Sequence, residues 1–242
     1  MKYLVLLLLP LGTFGQNIRF LQNLDSSYVP GNSIIENFTD STYFESNQGN
    51  EIIDIYKLDQ ELLNAAIHFS INRERKNRSK SALEYAPDLE FLAFNCTQYF
   101  SKSKFKYPKK GRAKFEKVLY LSSMNKPTER HMISTNVAYV PLLNVSNRKK
   151  IKVKETTKGQ FEWYQQNWEK EWLAIEFLSY NAFAEKVVEL LSKGSNKRFF
   201  LSTSFEISGC YAQVDKNTIR SSRGPKVKVI QIVGGKRLDV GE

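Results

Sequence analysis

Histidine and cysteine are the scarcest chemistry-bearing residues in this 242-residue chain: there are two of each, His68, His131, Cys96 and Cys210. They lie far apart, with none of the close pairings that bring ligands to zinc, so no metal site is expected. Two cysteines allow a single disulfide. Both also sit in apolar surroundings where a buried free thiol is common, and the two readings stand side by side. No Gly-rich phosphate cradle and no Gly-x-Ser-x-Gly elbow occurs, which removes the usual nucleotide-binding and serine-hydrolase templates. After the first residues no apolar run approaches the roughly 20 residues of a membrane span.

The chain is rich in positive charge. Its formal charge is +11, and a dense basic strip runs from Lys102 to Lys117. Within it Lys106, Lys109, Lys110 and Arg112 are candidates for contact with an anionic glycan or lipid headgroup; the plainer reading is a solvated loop. The opening MKYLVLLLLPLGTFGQ has a lysine, an apolar run and small residues at Thr13 and Gly15. It reads as a secretory signal, residues 1–15, cleaved before Gln16. Export disfavours nucleic acid as a partner. Four Asn-x-Ser/Thr sequons, at Asn37, Asn77, Asn95 and Asn144, would be glycan acceptors only in some hosts.

Hydrophobic residues make up 41% of the chain, enough for one domain with a real core. Residues 16–55 show no sustained period and read as an N-terminal extension, ordered in part against the domain. The stretch from Leu62 to Phe100 reads as two helices joined by a basic turn. Leu58, Leu62, Ala65, Ala66 and Phe69 form the buried stripe of the first, and Leu89, Leu92, Ala93 and Cys96 that of the second. Pro87, Asp88 and Glu90 suit the second helix's first turn. Between them Ala82, Leu83 and Tyr85 form a short apolar plug. Asn136–Val140 reads as a strand or a short buried segment, and Tyr180–Leu191 as the cleanest amphipathic helix. GCYAQV from Gly209 and VKVIQIV from Val227 read as closing strands. An insertion spans about 141–179. In it FEWYQQNWEKEWLAIEFL reads as helix-like, placing Phe161, Trp168, Trp172 and Ile175 on one face. That face serves either as an aromatic platform for sugar or lipid or as packing surface.

Four blocks together resemble the CAP superfamily (the SCP domain of cysteine-rich secretory, antigen-five and pathogenesis-related proteins). INRERKNRSKSALEYAPDLEFLA, from Ile71, is similar to the family's opening, with Asn72, Arg75, Leu83, Pro87, Asp88, Leu89 and Ala93 matching. FKYPKKGRAKFEKV from Phe105 looks like its "FsH" loop, ISTNVAYV from Ile133 like its "GENia" segment, and ELLSKGSNKRFFLSTSFEISGCYAQV from Glu189 like its "SpgH" segment. The resemblance covers about residues 56–235 and leaves 236–242 as a tail. It implies an α+β fold, a three-layer α-β-α sandwich, with a central cleft where relatives place two histidines and acids. At those positions this chain has Tyr107, Thr135 and Asn196, with Asn136 retained. A phenol, a hydroxyl and carboxamides offer hydrogen bonds and neither a metal-binding imidazole nor a general base. The expectation is an exported, non-enzymatic domain with no cofactor. Its unknown ligand or protein partner would bind at the degenerate cleft and basic rim. The alternatives are a diverged hydrolase using carboxylates such as Glu169 and Glu171, and a glycan- or lipid-binding module using the tryptophan insert.

Overall fold

The structure, a computed structural model, describes residues 24–102, 130–145, 151–193 and 197–236. Two short helices come first, α1 (Ser33–Asn37) and α2 (Asp40–Glu45), followed by the long α3 (Gln60–Asn77). The two-residue strand β1 (Glu84–Tyr85) leads into α4 (Pro87–Lys102). After β2 (Arg130–Pro141) come three strands of the insertion: β3 (Ile151–Thr157), β4 (Gln160–Gln166) and β5 (Trp172–Ala174). Helix α5 (Tyr180–Leu191), the short α6 (Lys197–Phe200), β6 (Ile207–Val214) and β7 (Lys226–Lys236) complete the described chain.

Local chemistry explains the main helices. Asp59 caps α3, its carboxylate accepting from the Leu62 N–H at 2.9 Å, and Ser179 does the same for α5 toward Ala182 at 3.2 Å. Pro87 stands at the first position of α4 with Asp88 and Glu90 in the first turn, as the sequence suggested.

The central sheet has the order β1-β6-β7-β2. β6 and β2 run antiparallel to β7, and β1 joins β6 in parallel. Alternate strand residues face opposite ways. Ala138, Val140, Cys210, Ala212, Val227, Val229 and Val233 share one apolar cluster with α3 and α5. Ile133, Ile207, Tyr211, Ile230 and Ile232 share the other with α4. The fold is thus α+β, with helices on both faces of a mixed sheet. Gly209 makes the α4 contact close: a Cβ there would meet the backbone N of Glu90 at 2.1 Å.

One sequence expectation is corrected. The segment from Phe161 is strand, not helix. A two-residue turn at Lys158–Gly159, with Gly159 at φ +85°, joins β3 to β4 as a hairpin, and β5 adds antiparallel to β4. The period is two: Trp163 lies opposite Val153 and is 2% exposed. The helical spacing of Trp168, Trp172 and Ile175 is a coincidence of the turn that separates them. The latter part of the extension is ordered against the domain and reaches its core. Tyr43 is fully buried and stacks on Phe69 with ring centroids 4.5 Å apart. Ile53 donates its N–H to Leu178 at 3.0 Å. The apolar plug is also partly a strand, since Glu84 and Tyr85 pair with Ile207 and Ser208. Beyond Lys102, the last residue of α4, the basic strip lies outside the described residues.

Candidate functional site

Of the cleft and rim residues singled out from sequence, Tyr107, Asn196, Lys106, Lys109, Lys110 and Arg112 lie outside the described residues. Thr135 and Asn136 are described, and both are fully buried on β2. As successive residues of a strand without an irregularity there, they face opposite sides: Thr135 toward α4, Asn136 toward α3 and α5. They do not line one cleft together. Asn136 lies opposite Gln231, and its Nδ2 donates to the Gln231 Oε1 at 2.9 Å. The remaining polar atoms of this pair, Asn136 Oδ1 and Gln231 Nε2, are buried with no hydrogen-bond partner. Such atoms are rare in a native core, because their desolvation is uncompensated.

The matched motif residues work as clamps. Asn72 donates from Nδ2 to the Leu83 carbonyl at 3.0 Å and accepts the Leu83 N–H at 2.8 Å. This fixes the chain entering β1. Arg75 is fully buried. Its guanidinium donates to the carbonyls of Ser81 at 2.8 Å, Phe200 at 2.6 Å and Ser202 at 3.2 Å. One side chain therefore ties the turn after α3 to the segment after α6.

A second polar cluster was not found from sequence. Glu90, 1% exposed, accepts from the phenols of Tyr28 and Tyr85, one on each carboxylate oxygen, and from Asn64 Nδ2 at 3.5 Å. Burial pushes its carboxyl above the ordinary range, against the pull of those donors. The same burial raises both phenols, with Glu90 adding to the effect. Asn64 also accepts the Ala212 N–H at 3.3 Å, while Gln60 donates to the Ala212 carbonyl at 2.9 Å. The α3 side chains thereby satisfy the edge of β6 beyond the end of β1. Tyr28 stacks on Phe94 at 4.1 Å and meets Tyr211 edge-on at 5.5 Å. Only an Asn and a Gln at helical spacing, followed by an acid at the α4 N-terminus, hinted at this in the sequence.

Catalytic arrangements are not assembled from these groups. His68 Nε2 is 3.2 Å from Asn72 Nδ2, and burial lowers the imidazole from 6.5 to about 4. The Cys210 thiol donates to the Asn64 carbonyl at 3.5 Å. Cys96 and Cys210 are both free and buried, and burial pushes both thiols up, away from the reactive thiolate. This decides the cysteine question: there is no disulfide between them. Glu90 is the only buried acid among the described residues. Among those residues no group of three or more His, Cys, Asp or Glu side chains could hold a metal ion. Asn95 is 2% exposed, with its amide engaged to the Asp25 N–H and the Phe91 carbonyl. Its sequon is sterically closed.

The third feature is the small sheet β3-β4-β5. Trp163 anchors it, meeting Phe177 edge-on at 5.3 Å, and the Phe161 N–H donates to the Tyr56 hydroxyl at 2.6 Å. The β4–β5 hairpin closes with the Asn167 N–H donating to the Glu171 carbonyl at 2.9 Å. Its loop is Trp168–Glu169–Lys170, with Lys170 at φ +67°, the left-handed residue that three-residue hairpins favour. Three side-chain bonds brace it. Asn167 Oδ1 accepts from the Glu171 N–H at 2.8 Å, Asn167 Nδ2 donates to the Glu171 carboxylate at 3.1 Å, and Gln166 Nε2 donates to the Lys170 carbonyl at 3.1 Å. This stiff tip leaves Trp168 88% and Trp172 41% exposed. Lys152 lies over the Trp172 ring at 5.9 Å.

No protein-family model matches this chain, and no curated protein resembles it significantly. Among the described residues no helix is long and apolar enough to cross a membrane.

Proposed function

We propose that this chain is a non-enzymatic, exported binding domain of CAP type, and that the braced β3-β4-β5 hairpin sheet carries its binding face. The observation that carries the reading is Trp168. A large apolar ring at 88% exposure gains nothing from folding, yet its loop is held by two backbone and three side-chain hydrogen bonds. Rigid presentation of an aromatic side chain is what binding surfaces require, because little conformational entropy is lost on contact. The CAP assignment draws support from helices on both sheet faces and from the clamps made by Asn72 and Arg75. The expectation of no enzymatic activity rests on Tyr107, Thr135 and Asn196 at the family's cleft positions. Export rests on the apolar N-terminal run.

The test is retention on cell-envelope fragments of the producing cell, comparing the wild-type chain with a Trp168→Ala/Trp172→Ala double variant. Loss of retention with an unchanged urea midpoint is expected. Equal retention of the two proteins refutes the assignment of the face. Titration with zinc should give no stoichiometric heat, and tight binding would overturn the non-enzymatic reading.

A further inference from the structure

Resting on the reading of the hairpin sheet as a binding face, we infer that its ligand is a neutral polysaccharide chain, with sugar rings stacked on Trp168 and Trp172. The charge balance selects the ligand class. Residues 151–174 contain four lysines, Lys152, Lys154, Lys158 and Lys170, and four glutamates, Glu155, Glu162, Glu169 and Glu171. The chain as a whole is strongly basic, but this sheet is not. An anionic bilayer or a polyanion draws its affinity from a surplus of cations. Here Glu169 and Glu171 flank the exposed indole at the tip and would face the ligand's charge. Both are exposed.

The polar groups beside the rings fit hydroxyl recognition instead. The register puts Gln166 opposite Trp172, and Lys152 beside Tyr164, on the outer face of the sheet. Tyr164 donates to Glu162 on the same face. Amides, carboxylates and ammonium groups next to an exposed indole are what a sugar needs. The apolar C–H face of the ring stacks on the indole, while the ring's hydroxyls exchange hydrogen bonds at its edge. Trp163, 2% exposed, turns its part of the sheet to the domain, and the outer face and the tip are open to a polymer. The rigid loop holds Trp168 and the start of β5 holds Trp172, four residues apart in sequence but joined through one hairpin closure. A chain molecule that meets two fixed rings binds through both.

The experiment measures binding of the full chain by tryptophan fluorescence. Its probes are neutral hexasaccharides of N-acetylglucosamine, glucose and mannose, with heparin and phosphatidylglycerol vesicles as the anionic arms. Saturable binding to a neutral hexasaccharide, little affected by salt, is expected. Trp168→Ala and Trp172→Ala should each weaken it at least about tenfold, while Trp168→Phe retains most of it. The urea midpoints of these exposed-site variants control for folding. Binding to heparin or vesicles alone, lost in the tryptophan variants, overturns the glycan inference and leaves the binding face standing. No binding in any arm overturns both.

Discussion

Acidification should weaken the fold through His68, and the size of the effect follows from its surroundings. The imidazole sits against the rings of Phe69 and Tyr85, at 5.5 and 6.1 Å. Its Nε2 is placed to accept from Asn72, whose amide is also fixed by both polar atoms of the Leu83 backbone. A second proton would need desolvation and would set a donor against a donor. Burial therefore lowers the imidazole from 6.5 to about 4. Between those values the unfolded chain binds a proton that the native state refuses, so stability falls as pH falls. At about 1.4 kcal/mol per unit the loss amounts to about 3 kcal/mol between pH 6.5 and pH 4. That is a large share of the roughly 5–15 kcal/mol typical of a domain.

Glu90 acts in the opposite sense: its carboxyl is raised above 4.5, so it favours the fold on the acid side and destabilises it as pH rises. The two contributions overlap and must be separated. Urea unfolding at a series of pH values should show the acid loss shrinking in His68→Gln and steepening in Glu90→Gln. An NMR titration should find the His68 ring neutral down to about pH 5. If His68→Gln keeps the wild-type slope, or the ring titrates near 6.5, the burial argument is wrong.

Three further outcomes are expected. Arg75→Met should destabilise the chain by at least about 3 kcal/mol in urea unfolding, because it strands the carbonyls of Ser81, Phe200 and Ser202; a loss under about 1 kcal/mol would mean that water replaces the guanidinium. Neither Cys96 nor Cys210 should react with a thiol reagent in the native state, and both should react in urea, since each is buried and free; rapid native labelling would contradict the packing. Tyr43→Ala should cost about 3–5 kcal/mol, the range for emptying a large aromatic site, as the ring stacks on Phe69 and its hydroxyl donates to Asn181 at 3.2 Å. A neutral result there would return residues 33–50 to the status of an appendage.

The parts of the fold that read well from sequence are those where one residue period dominates. α3, α4 and α5 each carry an apolar stripe with a cap or a first-turn proline. β6 and β7 are runs of apolar and small residues too short for helices. The insertion read badly because Trp168 and Trp172 are four apart for a reason unrelated to helix geometry: two further loop residues and one closing residue lie between them. The better signal was the Lys158–Gly159 turn, followed by alternation of Phe161, Trp163 and Gln165 with Glu162, Tyr164 and Gln166. The extension hid its core residues for a different reason. Tyr43 and Ile53 are single insertions into a cluster built by other elements, and a single insertion has no period.

The polar sites were legible to very different degrees, and the difference is one of sequence separation. Asn72 and Arg75 stand three apart on one helix, so their pairing with the turn that follows was implicit in a local motif. The Glu90 cluster joins Tyr28, Asn64, Tyr85 and Glu90, and its longest link, Tyr28 to Glu90, spans 62 positions. Nothing local distinguishes these residues from surface polar ones. What makes them necessary is the topology: β1 covers β6 only at Ile207 and Ser208, leaving the Ala212 amide and carbonyl at an uncovered edge. Something on α3 must satisfy that edge, and Gln60 and Asn64 do. Once Asn64 is committed there, its Nδ2 points at the start of α4, where a carboxylate is the fitting acceptor. The phenols then bring the remaining donors that a buried acid requires. The cluster is thus a consequence of ending β1 after two residues, and reading it from sequence would have required knowing where that strand stops.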